Sequence, residues 1–512
     1  MLQAAERVVF GVDEASGTVE MHVQVSYTGE AEDFAWIVPV PADPELSVST
    51  SDLFTQVALA TLPTFRLVVQ DAGCRVRAQD EVFSDSAVPS DSIADASGGY
   101  DVTVVDRAVV GPYDAVTLHA ASADDLLGWL DTSGYQIPAE LDAVLQPYVS
   151  ADASFVALKL APGRDVGDLA PLLLRYRADR ATIPIRLTSV AATPDMRVEA
   201  YVFGRGRGVP ESYLHVGINE LAVDWWSGGG NYSAVVTQAA NEAGGHAFAT
   251  DYYGDSDIVP VLFRGVVPEE ALRAAPTGAA WVEVLRGTGI RPTPEVLAVI
   301  EDALDLPPGQ GANAWACPDC VEPAGFAAGL ATDMALERVF APLEAAQALI
   351  DGYPRLARMS SSLDAVEMTV DPVFVVNHDL DDALVGNQWT ATLVYECDGG
   401  ARRERADRHL LLARSGLSVR LPSEDALAEM GMSEFEYLAS LRDYSAVTIE
   451  QLGAEGRARP SSTCARTSRR GSRRSTSCWG GPAGATAAGH VPWGAGIAAA
   501  FAVWARRRRA RR

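Results

Sequence analysis

The chain has 512 residues, 48% of them hydrophobic, and a formal net charge of −27. That length and apolar share exclude global disorder and set a prior of roughly three domains, while six cysteines are too few for a disulfide-dense scaffold. Thirteen arginines and no acid lie from residue 457 onward, so 28 basic residues face 68 acidic ones before it. A body this acidic does not grip nucleic acid through its phosphates, and no nucleic-acid partner is expected.

The elements begin at residue 6. Residues 7–12 form a short β-branched and aromatic run. Asp13-Glu14-Ala15-Ser16-Gly17 supplies turn residues. Val19, Met21, Val23 and Val25 then alternate with Glu20, His22, Gln24 and Ser26, the period of a strand with one buried face. Phe34-Ala35-Trp36-Ile37-Val38 is apolar on both sides, which predicts a strand covered on both faces, and Pro39 and Pro41 end it. Together these runs predict an antiparallel meander.

Residues 51–54 open a short helix with Ser51 or Asp52 as its cap. Residues 65–69 read as a strand, 78–100 as a loop rich in Asp, Ser and Gly, and 100–110 with 115–119 as a strand pair. Ser122 caps a helix carrying Leu126, Leu127 and Trp129; residues 138–149 form a second helix, and 155–160 a strand. Residues 183–190 and 196–203 are expected to be a strand pair, and 231–243 a helix stopped by Gly-Gly. Residues 294–304 and 332–350 are the strongest helical stretches, 373–376 and 390–395 are strands, and 422–452 is mostly short helix.

The pattern predicts an α+β fold. A β-rich part over 1–180 with the meander precedes a mixed α+β part over 181–456. A basic Ser/Gly-rich linker covers 457–490, and a short apolar, membrane-directed helix with an arginine-rich end covers 491–512.

The runs AERVVF and QVSYTGEAEDFAWIVPVPADPEL, with PRLARMSSSLDAVEMTVDPVFVVN at residues 354–377, resemble a bacterial family known as domain of unknown function 2330. The similar segments bracket residues 6–377. The resemblance implies an exported or envelope-located protein and brings no catalytic residues. It also implies a signal peptide and a short cysteine-containing segment ahead of the first strand, so a truncated start is expected.

The sharpest local motif is Cys317-Pro318-Asp319-Cys320, which is a redox dithiol, half of a zinc site or a structural disulfide. No second pair stands at zinc spacing, and a disulfide is expected. Cys74 and Cys397 are candidates for a second bridge. Gly204-Arg205-Gly206-Arg207-Gly208 lacks the helix start that a phosphate loop needs and reads as a basic turn. Asp251, Asp255 and Asp257, and Asp379, Asp381 and Asp382, are expected to be solvated acidic loops, not a calcium site. His22, His119, His215, His246 and His378 are scattered. No metal site and no cofactor is called for.

The tail is the most explicit part. Val491, Trp493, Ile497, Phe501 and Trp504 lie in an apolar run closed by Arg506, Arg507, Arg508 and Arg509. A span needs about 20 apolar residues, and the arginines are expected to stay cytoplasmic. A cysteine, a short apolar helix and then arginines resemble the myxobacterial C-terminal sorting tail, and Cys478 matches its processed cysteine. The expected function is an envelope-anchored extracytoplasmic binding or structural module that meets the membrane and other envelope components. The alternative is an enzyme: an oxidoreductase through Cys317 and Cys320, or a metal-assisted hydrolase.

Overall fold

The computed structural model describes residues 2–28, 34–72, 102–135, 141–161, 169–321, 323–380, 384–397, 403–457 and 459–462. The chain divides into two units, Met1–Thr467 and Ser468–Arg512. The second lies outside the described residues, and with it the expected apolar helix.

The first unit is α+β. β1 (Leu2–Asp13) and β2 (Thr18–Thr28) form an antiparallel hairpin. Asp13 makes its turn: the carboxylate accepts from the Ala15 N–H at 3.1 Å and the Ser16 hydroxyl at 2.7 Å, while Gly17 takes φ +63°. The hairpin begins earlier than the expected start at residue 7. β3 (Ala35–Val40) does not extend this hairpin into the expected meander, because the free edge of β2 is taken by a later strand. Its two apolar faces explain where it goes. Phe34, Trp36 and Val38 face one core and Ala35 and Ile37 another, so β3 lies between two packed layers.

β4 (Glu45–Val48) leads to α1 (Ser51–Thr61), whose cap is Thr50 and not Ser51 or Asp52. Then come β5 (Thr64–Ala72), β6 (Val102–Val110), β7 (Tyr113–Ala120), α2 (Ala123–Thr132), α3 (Leu141–Ser150), β8 (Ser154–Leu160), β9 (Leu172–Arg177) and β10 (Ala181–Thr182). The expected strand at 183–190 is instead a single helical turn, α4 (Ile185–Thr188). The Asp371 carboxylate accepts from the Arg186 N–H at 3.0 Å, and Ile185 and Leu187 turn inward.

β11 (Ala192–Gly204), β12 (Arg207–Pro210) and β13 (Leu214–Ile218) follow. The glycine–arginine run is the turn from β11 to β12. α5 (Tyr232–Glu242) and β14 (Ala247–Asp255) precede the helical block of α6 (Glu269–Arg273), α7 (Gly278–Gly287), α8 (Pro294–Leu304), α9 (Gly311–Ala316), α10 (Ala328–Ala335) and α11 (Ala341–Gly352). Pro294 in the first turn of α8 and Val296, Val299, Ile300 and Leu304 on its buried side make it legible as a helix. The chain closes with β15 (Arg355–Leu363), β16 (Val373–Asn377), β17 (Gln388–Glu396), β18 (Asp407–Leu412), β19 (Leu417–Leu421), α12 (Glu424–Met430), α13 (Glu434–Ser440), β20 (Ala446–Gln451) and β21 (Arg459–Ser462). The stretch 422–452 is thus helical only in its first part, since β20 pairs with β13.

A ten-stranded sheet in the order β21-β20-β13-β14-β15-β11-β1-β2-β9-β4 organises the unit. It is mixed rather than antiparallel throughout: β1 with β11 and β13 with β14 are parallel pairs. Strands from both sides of residue 180 join it, so that position does not divide two units. Alternation sorts its residues onto two cores. Val8, Phe10, Val198, Val202 and Met359 enter one. Val9, Tyr201, Phe203 and Leu356 enter the other, under the helical block. Smaller sheets, β3-β8-β7-β6, β19-β18-β17-β5 and β10-β16-β12, complete the fold.

Candidate functional site

Arg358 stands near the middle of β15, with only 2% of its surface exposed. Such a charge requires partners. Its Nη2 donates to Glu199 Oε1 at 3.0 Å, from β11, and its Nη1 donates to the Ala58 carbonyl at 3.2 Å. Its Nε is 3.3 Å from Asp251 Oδ2, on β14, but not aligned for a hydrogen bond. The strand order places β14 and β11 on either side of β15, so both carboxylates converge on one guanidinium. Tyr201 donates to Glu199 Oε2 at 3.0 Å, and Arg7 Nε lies 3.3 Å from the same oxygen. Tyr232, in the first turn of α5, donates to Asp251 Oδ1 at 2.7 Å. Burial pushes the Asp251 carboxyl up, with Arg358 and Tyr232 pulling against it. Burial, reinforced by Asp251, holds the Tyr232 hydroxyl far above the usual phenol range, so it remains a donor.

Beside this network is a cavity of about 230 Å³. Arg197, Glu199, Asp251, Arg358 and Ser360–Ser362 line its sheet side. Gly228–Gly230, Tyr232 and Ser233 line the side of the α5 N-terminus, and Leu62, Pro63, Phe65 and Val236 supply apolar wall. Gly229 has φ +78°, and a Cβ there would overlap the Phe65 ring, so only glycine fits the approach. Ser361 and Ser362 donate to the carbonyls of Ala247 and Asp195. Ser360 is 7% exposed, and its Oγ lies near Asp251 without hydrogen-bond geometry to any atom. The cavity thus combines fixed charges, a helix N-terminus and buried polar atoms with unused capacity.

A family model described as an uncharacterized protein conserved in bacteria, DUF2330, matches residues 1–259. The chain belongs to this family. No curated protein and no solved structure matches it. The matched span supplies Arg197, Glu199, Tyr232 and Asp251, whereas Arg358 and Ser360 come from β15, beyond it.

The residues singled out from the sequence lie elsewhere, Asp251 apart. Cys317 and Cys320 are joined by a disulfide, with Cα atoms 5.3 Å apart. α9 ends at Ala316 with Cys317 as its cap, and only one 3₁₀ turn follows, whereas a redox pair opens a helix at its first cysteine. Cys397 is disulfide-bonded, and Cys74 lies outside the described residues. Cys478, Val491, Trp493, Ile497, Phe501, Trp504 and Arg506 to Arg509 also lie outside them. Among the described residues no helix is long and apolar enough to cross a membrane.

The run DYYGDSD is mostly strand rather than loop: five of its residues belong to β14, and Asp251 is 1% exposed, whereas Asp255, paired with Arg355 at 2.5 Å, and Asp257 are exposed as expected. Asp379 accepts from the Gly456 N–H at 2.7 Å, while Asp381 and Asp382 lie outside the described residues. Among the described residues no cluster of three or more His, Cys, Asp or Glu side chains is placed to hold a metal.

Two histidines approach triad geometry. His22 Nδ1 is 2.6 Å from Ser49 Oγ and its Nε2 is 3.0 Å from Glu20. Ser49 and His22 are 1% and 0% exposed, so no substrate carbonyl reaches the hydroxyl. His119 Nε2 approaches both Asp43, at 3.0 Å, and Ser154, at 3.5 Å, and Ser154 donates directly to Asp43. One ring nitrogen thus meets both partners, which does not relay a proton between them. His215 contacts Thr250, His246 the Glu367 carbonyl and His378 Glu14.

Sequence reasoning missed Arg358, Glu199, Tyr232, Ser360 and the glycine run. Two signals were present: two arginines and three serines inside the run RLARMSSSL, and three glycines just before the cap of a helix in WWSGGGNY.

Proposed function

We propose that the chain is a non-enzymatic extracytoplasmic binding module, held at the cell envelope by its C-terminal tail, and that a small polar molecule binds in the cavity beside Arg358. The observation that carries this reading is the cavity itself. About 230 Å³ of space adjoins a buried ion network whose carboxylates are tied to Arg358, so they act as fixed charges rather than as free acid–base groups. A pocket with apolar wall and a few convergent polar groups is the form that small-molecule sites take. The envelope part of the reading rests on the apolar run and arginine cluster of the tail.

A ligand that binds only the folded state raises its melting temperature by mass action. A thermal-shift screen of small polar molecules on the full chain is expected to yield stabilising compounds. Their effect should vanish in Ser233→Trp, which fills the cavity at an exposed position. Stabilisation that persists in that variant rejects this cavity as the site. The anchor is tested separately by fractionating cells that express the chain with an authentic signal peptide. Equal solubility of the full chain and of one ending at Gly456 removes the anchor from the reading.

A further inference from the structure

We propose that the ligand of this cavity is a small organic acid or phosphate ester whose oxyanion seats on the first turn of α5, between Arg197 and Ser360. The proposal rests on the reading of the cavity as a binding site and adds the chemistry of what enters it.

The first N–H groups of a helix have no partner within it, and a cap side chain ordinarily takes one of them. Asn231 is a residue type suited to that task, yet it makes no cap hydrogen bond. Its Oδ1 accepts from the Asp224 N–H at 2.8 Å, and its amide donates to the Ala222 carbonyl at 2.8 Å. Asn231 therefore braces the glycine loop and leaves the first turn of this 11-residue helix uncapped by a side chain. The Tyr232 N–H donates to the Gly229 carbonyl at 2.8 Å, and the N–H groups that follow it, with the positive end of the helix dipole, favour an anion.

The second observation is independent and comes from the opposite wall. Ser360 is more than nine-tenths buried, lines the cavity, and has no hydrogen-bond partner. Arg358 Nε, on the same wall, also lacks a hydrogen bond. Both donors stand beside the Asp251 carboxylate, yet neither makes an aligned hydrogen bond to it. A buried polar group left unpaired is costly, and one that lines a cavity can be satisfied by what enters it.

Charge gives the sign. Arg197 donates to Ser233 Oγ and lies 3.9 Å from Glu199, too far for a hydrogen bond, so its fork retains free donors. Arg7, Arg197 and Arg358 surround two carboxylates, leaving a local positive excess inside a chain of net charge −27. A guanidinium matches carboxylate and phosphate geometry through paired N–H donors. The wall of Leu62, Pro63, Phe65 and Val236 then accepts an apolar body, which favours an organic anion over a bare ion.

Calorimetric titration of the full chain with sodium benzoate, its neutral isostere benzamide, and inorganic phosphate tests this. Benzoate or phosphate is expected to bind, more weakly as salt rises, and benzamide at least tenfold more weakly than benzoate. Arg197→Gln should weaken anion binding at least tenfold and Ser360→Ala several-fold, with unchanged thermal melts showing that both variants fold. Binding of benzoate alone assigns a carboxylate ligand, and binding of phosphate alone a phosphoryl ligand. Equal binding of benzoate and benzamide, or anion binding indifferent to both substitutions, overturns the oxyanion proposal and leaves a cavity for neutral molecules. If no probe binds, the proposal falls. If the thermal-shift screen also finds no ligand, the binding reading falls with it.

Discussion

Arg358 and Arg408 are both buried arginines on strands, at 2% and 0% exposure, and they do different things. Arg408 Nε donates to the Pro422 carbonyl at 2.8 Å and its Nη1 to Glu434 Oε1 at 2.8 Å. Glu434 is in the first turn of α13, so this arginine fastens β18 to the helices that follow the small sheet. Arg358 fastens three neighbouring strands of the large sheet and also forms the wall of a cavity. Arg408 leaves Nη2 unpaired just as Arg358 leaves Nε, so an unpaired nitrogen alone does not mark a site. What distinguishes Arg358 is the space beside it, shared with Ser360 and a helix end.

The two arginines differ most when they are truncated. Removing one partner of a buried ion pair costs about 3–5 kcal/mol, because the other charge is left uncompensated. Arg358→Ala leaves Glu199 and Asp251 at 5% and 1% side-chain exposure, so its loss belongs at the top of that range. Arg408→Ala leaves Glu434 at 25% exposure, where water relieves the charge, so about 3 kcal/mol is expected. Denaturant melts of the two variants check the order, and a greater loss for Arg408→Ala would reverse it.

Glu6 supplies a third buried charge, this one hydrogen-bonded to neutral side chains. It is 3% exposed and accepts from Gln3 at 3.2 Å and Thr188 at 3.0 Å. Burial, against those two hydrogen bonds, pushes its carboxyl from 4.5 to about 7. The folded state therefore holds this proton more tightly than the unfolded chain. The stability it contributes is full below about pH 4.5 and is lost as pH rises through about 7. The change is on the order of 3 kcal/mol. Glu6→Gln should flatten stability across that window, and an unaltered pH profile would contradict the assignment. Smallest of all, Ser360→Ala should change stability by less than about 0.5 kcal/mol, because its hydroxyl has no partner to lose. A loss above about 1 kcal/mol would mean that Ser360 is satisfied within the fold.

The legible parts of the sequence were those with local causes. The hairpin turn showed in Asp13 to Gly17, and α8 showed in Pro294 and its apolar spacing. β3 showed as a strand covered on both faces, but its partner did not, since pairing with β8 is a long-range choice. The strand β14 was hidden because three aspartates in DYYGDSD read as solvated. Asp251 is buried only because Arg358, far away in sequence, neutralises it. The same pairing hid Arg358 and Ser360, whose polar side chains disguise a central strand. The candidate site was therefore almost illegible, being assembled from residues whose polarity makes sense only once they meet.

Native mass spectrometry of the full chain and of Ser233→Trp, each with a panel of small organic acids at equal concentration, reads directly whether the cavity beside Arg358 holds a ligand. Occupancy of the cavity predicts a one-to-one complex with the full chain and none with the variant. Equal complex formation by both, or none by either across the panel, would contradict a ligand site beside Arg358.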